Sequence, residues 1–206
     1  MDKLGIYNEA LRLTGGRRLA SLTEDRAPRR ELDSIWATHA YDTWLEMADW
    51  KFALNFVKIQ VNPSIDISFG YANAFDQPSD LVRVSGVWGD EYHKSPLTEY
   101  RDEAGKFYAD IDEIYVSYVS NSASFGGNVG AWPNSFANYV AAFMADQMAP
   151  QFKNDNAAGE ISKELKARKT NAMSKDAQKS PSKQMPQGSW SGSRGGRSHR
   201  NHGIPS

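Results

Sequence analysis

What most constrains the fold is a change of period in the apolar residues. Before Trp50 they recur every third or fourth position, from Phe52 to Val119 they mostly alternate with polar residues, and after Trp132 the helical spacing returns. Side chains three and four apart share one face of a helix, whereas alternate residues share one face of a strand. A chain with both periods in that order reads as α+β: a helical bundle of three to four helices, an inserted small antiparallel β-sheet, and an extended C-terminal arm.

The individual signals are local. Leu4, Tyr7, Ala10 and Leu11 predict a helix over residues 4–14, stopped by Gly15-Gly16. Leu32, Ile35, Trp36, Ala40, Trp44, Met47 and Ala48 form the strongest stripe and predict one continuous helix over 28–50, entered through the capping-type residues Ser21, Thr23, Glu24 and Asp25. Trp132-Pro133 opens a third helix over 133–150 that carries Phe136, Tyr139, Val140, Phe143 and Met148. Strand-like runs at Phe52–Val61, Ile65–Tyr71, Leu81–Trp88, Tyr100–Arg101, Lys106–Ala109 and Ile114–Val119 place the β insertion at about 52–119. Residues 1–155 then form the body. Residues 156–178 have helical propensity but only Ile161 and Leu165 as large aliphatics, so this helix is expected to project from the body or pack on a neighbour.

The stretch that follows differs in kind. Residues 179–206 carry Lys179, Lys183, Arg194, Arg197 and Arg200 with no acid, whereas the whole chain of 206 residues has a net charge of -1. Removing the arm's five positive charges leaves an acidic body of -6. Met185, Trp190 and Ile204 are the arm's only large apolar side chains. Three cannot offset an ordering cost of about 1–2 kcal/mol per residue, so the arm is expected to take its shape from a partner. Trp190 amid Ser and Gly suits an anchor for a partner's pocket, with Arg194 and Arg197 on its rim, the alternative being an unstructured remnant.

Several chemistries find no support. There is no cysteine, so disulfides, zinc ribbons and thiol catalysis are excluded, as suits a reducing cytoplasm. Met1–Gly5 lacks the apolar stretch of a signal peptide and no later segment approaches the length of a membrane span, so a chain neither exported nor membrane-spanning is expected. His39, His93, His199 and His202 lack paired-ligand helix spacing, and no metal or other cofactor is expected. Asp110, Asp112 and Glu113 have the chemistry for a cation or for glycosidic cleavage, yet they precede an apolar strand, where charges commonly block unwanted pairing. Gly126–Gly130 lacks a phosphate cradle's Lys-Ser/Thr ending and reads as a flexible hinge loop. Arg17-Arg18 and Arg29-Arg30 suit either a phosphate backbone or intersubunit and helix-surface ion pairs.

Six blocks then add up. They are Asn8–Gly15, Leu19–Arg26, Trp50-Lys51-Phe52-Ala53, Gln77–Val84, Ile114–Val119, and Trp132-Pro133 through Pro150. In order and spacing, over roughly residues 1–150, the chain resembles the tail tubular protein A, or head-to-tail adaptor (connector), family of short-tailed phages. The resemblance implies a helical bundle interrupted by a β-rich insertion, and a structural role without catalysis or cofactor. It implies twelve copies in a ring between the portal protein ring and a tail nozzle protein of the tail tubular protein B kind. Tail fibres are a further candidate partner. DNA would pass through the enclosed channel without sequence-specific binding, and an acidic wall would keep it from sticking. The location implied is the head–tail interface of the virion, after synthesis in the host cytoplasm, with no membrane partner.

The resemblance also implies that C-terminal residues dock on the portal. Candidates here are Ile161, Leu165, Met185, Trp190, Arg194 and Arg197, while Arg17, Arg18, Arg29 and Arg30 would face a neighbouring subunit or the channel. The arm itself, with Trp190, Arg194 and its Gly-Gly-Arg, departs from the family pattern. Two readings of other classes stand beside this one: a tail-associated cell-wall hydrolase using Asp110 with Glu113 or Glu103, and a nucleic-acid-binding module using the basic arm.

Overall fold

The computed structural model describes residues 1–67, 70–149 and 155–180. In chain order they form α1 (Lys3–Leu13), α2 (Ala27–His39), α3 (Asp42–Leu45), β1 (Leu54–Gln60), β2 (Asn73–Asp76), β3 (Leu81–Trp88), β4 (Arg101–Glu103), β5 (Lys106–Ala109), β6 (Glu113–Ser120), α4 (Asn134–Met148) and α5 (Asp155–Ala177). A 3-10 turn over Val129–Ala131 precedes α4. The class is α+β, with the strands inserted between helices.

Both ends of α1 have a local cause. The Asp2 carboxylate accepts the Gly5 N–H at 2.8 Å and caps α1. At its other end Gly15 takes φ 73, Gly16 N–H donates to Leu11 O at 2.7 Å, and Gly15 N–H donates to Arg12 O. Glycine makes that left-handed closure without a Cβ penalty. The stripe Ile6, Tyr7, Ala10 and Leu11 is buried, and α1 packs on α4. Helix α4 buries residues around most of its circumference, from Phe136 to Met148, as a central helix must. Around its start stand the indoles: Trp36 stacks on Trp132 at 6.0 Å, Trp44 meets both edge-on, and Trp50 meets Phe136 at 4.8 Å. Such ring pairs add about 0.5–1.5 kcal/mol each beyond their buried area.

The strands make two antiparallel sheets, in the orders β1-β6-β3 and β2-β5-β4. The central strand β6 pairs with β1 from Leu54↔Val119 to Gln60↔Glu113. Alternation puts Val87, Ile114, Val116 and Tyr118 of the first sheet in one core with Phe75, Phe107 and Ala109 of the second. A separate, larger core lies among the helices, and Val119 belongs to it where the sheet meets them.

Five expectations need correction. The helix expected over 28–50 is broken at Ala40–Tyr41 into α2 and the short α3. One sheet is in fact two. The run Ile65–Tyr71 supplies no strand among its described residues, because Asn62 turns the chain: its side chain accepts Ser64 N–H and its carbonyl accepts Ile65 N–H. Pairing resumes only at Asn73. The loop around Gly126 is packed and is no hinge. A Cβ on Gly126 would lie 2.4 Å from Ser120 O and 2.6 Å from Leu45 Cδ1, and the Gly126 carbonyl accepts the Trp132 indole N–H at 2.7 Å. Finally, α5 does not project: it packs along α4, with Ile161 and Ala172 buried.

Candidate functional site

Helix α5 ends just before the basic segment begins. Beside the apolar contacts of Ala158, Ile161, Leu165 and Ala172, polar contacts hold it along its length. Near its start Ser162 Oγ donates to Asp146 Oδ1 at 2.5 Å. In its middle Arg168 pairs with Glu9 of α1 at 2.8 Å and with Glu164 at 2.7 Å, and donates to the carbonyl of Asn138 in α4. Near its end the nearly buried Asp176 accepts the backbone N–H of Lys51 at 2.8 Å. Asp176 and Lys179 line a narrow cleft with Trp50, Phe52, Pro133 and Ala172. The chain therefore reaches Ser180 beside the root of β1, at a fixed place on the body.

The portal-docking candidates fall unequally on this geometry. Ile161 is buried in the chain's own core, and Leu165 is partly buried against it. Neither offers its full side chain to a partner, because the thin stripe of α5 is spent on α4. Met185, Trp190, Arg194 and Arg197 lie outside the described residues, as do His199 and His202.

The four arginines separate into two kinds. Arg29 belongs to a network in which Asp33 accepts from Arg29 Nη1 and from the Tyr7 hydroxyl at 2.8 Å, with Lys3 at 3.5 Å. Arg30 pairs with Asp25. Arg17 and Arg18 are exposed on the connection between α1 and α2, and among the described residues neither makes an ion pair. These two remain available to a neighbouring subunit or a phosphate.

The carboxylates weighed for hydrolysis have structural partners. Asp110 accepts the Ala72 N–H at 2.7 Å, Asp112 faces the Asn73 amide, and Glu103 pairs with Arg101. Glu113 pairs with Lys58 and accepts the Tyr115 hydroxyl, and the Lys58 hydrogen bond foremost holds its carboxyl below the usual range. A glycosidase's general acid needs the opposite shift. The most depressed carboxyl among the described residues is Glu9, held at about 2 first by the hydrogen bonds of Arg12 and then by Arg168. Its role is to tie α1 to α5.

Sequence reasoning missed one exposed feature. On the outer face of the first sheet the His93 ring stacks between Trp88 at 4.4 Å and Phe56 at 5.1 Å, while Tyr92 beside it is 71% exposed. The Asp90 carboxylate shapes the turn by accepting the N–H groups of Tyr92, Lys94 and Ser95. An Asp followed by an aromatic and a lysine at a strand end was the available signal. In comparison with known proteins, the chain matches no family model and no curated sequence.

Proposed function

We propose that the chain is a structural head-to-tail adaptor of a short-tailed phage virion, one subunit of a ring between portal and tail nozzle that encloses the DNA channel. The six sequence blocks over residues 1–150 suggest the class. The observation that carries the reading is the anchoring of α5, which starts the basic segment from one fixed place. A docking arm needs such an origin, since it restricts where the arm can search for its site. The exposed Arg17 and Arg18 suit contact with a neighbouring subunit.

The mechanism is assembly. Subunits that hold one another weakly gain stability when a preformed portal ring aligns them, because many contacts then act at high effective concentration. Size-exclusion chromatography with light scattering should give a monomer or an ill-defined oligomer for the purified chain. Electron micrographs of the chain mixed with its portal should show a second ring stacked on the first. A closed ring formed without portal contradicts the templated mechanism, and bare portal rings in the mixture contradict the function.

A further inference from the structure

At the break between α2 and α3 the backbone departs from what its own sequence favours. Ala40–Asp42 is a three-residue turn closed by Asp42 N–H donating to Ala40 O at 2.7 Å, with Tyr41 at φ 58 and ψ -59. That is the rarer hand of the γ-turn, a strained conformation for a residue with a Cβ. Further along, the indole N–H of Trp44 is fully buried and has no hydrogen-bond partner among the described residues. The indoles of Trp50 and Trp132, by contrast, donate to Trp44 O and Gly126 O. Met47, an apolar member of the same stripe, is left 38% exposed.

The strain and the exposure have a common remedy. If α2 ran on through residue 41, Tyr41 would return to negative φ, and Met47 would fall in line with Trp36, Ala40 and Trp44 on one helical face. Opposing this, the bend is held by packing. Trp44 sits against Trp36, Trp132 and Phe143, Asn121 donates to Asp42, and Arg83 binds Glu46 O and Asp49. Strain on one side and packing on the other is the balance of an element with two conformations. We propose that Ala40–Asp42 is a strained hinge, and that the segment from Asp42 to Trp50 has a second state in which it continues α2. Because β1 follows directly, the hinge sets how the β insertion sits on the helices. This inference is independent of the adaptor reading.

Three indole N–H groups in the full chain serve as reporters. In hydrogen exchange followed by NMR, that of Trp44 should exchange roughly ten-fold or more faster than those of Trp50 and Trp132, through a local opening. Tyr41→Gly and Tyr41→Ala both lose the ring, but only glycine accepts positive φ freely. The glycine variant should therefore melt several degrees above the alanine variant and exchange the Trp44 proton more slowly. The alanine variant should show the stronger helical far-UV dichroism of the two. Exchange at Trp44 no faster than at the bonded indoles, or an alanine variant that melts as high as the glycine variant, overturns the hinge. Faster exchange without the gain in helix means local unfolding, and overturns the second state.

Discussion

Glu9 shows how much one side chain joins here. It bonds Arg12 on its own helix and Arg168 on α5, and its carboxyl is held at about 2 in the folded chain against an ordinary value of 4.5. Between those values the unfolded chain binds more protons than the folded one, so stability rises with pH. Glu9's contribution is complete above about pH 5 and drains away as the pH falls toward 2. Glu9→Gln should therefore unfold at lower urea at neutral pH, and the gap to the natural chain should narrow as the pH falls through that window. A gap constant between pH 5 and 2 would refute the link. Gly126 makes the complementary case, where a missing atom matters. A methyl group there meets backbone oxygen and the Leu45 side chain well inside contact distance. Gly126→Ala should cost roughly 1–3 kcal/mol in chemical denaturation, the usual cost of overpacking.

Among elements, α5 depends most on named polar contacts, and Asp176 is the one that fixes its end. Asp176→Ala removes the acceptor of the Lys51 N–H, a bond of about 1.5–3 kcal/mol for a charged acceptor. Amides over the last turns of α5 should lose protection in hydrogen exchange while those of α4 keep theirs. Unchanged protection would show that the contact does not hold the helix. The sequence could not reveal this tie, because the partners lie 125 positions apart and one is a backbone group. What was legible was whatever keeps one period without interruption: α1, β1, β3, β5, β6, α4 and α5 all fall within about two residues of their expected bounds. The break in α2 was invisible because Ala40 and Trp44 keep helical spacing straight across it. Strand β2 offered only Ala74 and Phe75 as buried residues, too short a pattern to read. Ile161 looked like a docking residue because its stripe is thin, yet Ala158 and Ala172 are small enough to let α5 settle on the core beside it. Of the candidate site, the charge contrast between body and arm was plain in the sequence, while the ion-pair partners that occupy Arg29 and Arg30 emerged only from the fold.

At the scale of the whole molecule, under the proposed adaptor role that charge contrast separates stability from assembly. Among the described residues, both apolar cores are built from positions that precede the basic segment, the last of them Ala172. A chain ending after Gln178 keeps every core contact made among the described residues and keeps Asp176 on Lys51, so its melting temperature should stay close to that of the full chain. Its behaviour toward the portal should not. Removing five positive charges and Trp190 should abolish co-sedimentation with portal rings. Restoring the segment with Trp190→Ala should recover the charge but little of the binding, if the indole is the anchor. Full recovery by that variant would make the attraction electrostatic, and raised salt should then weaken it steeply. Loss of DNA binding with portal assembly intact would instead make the segment a nucleic-acid tether, as some basic Arg/Gly-rich segments of other proteins are. Normal portal assembly by the shortened chain would remove the segment's docking role altogether.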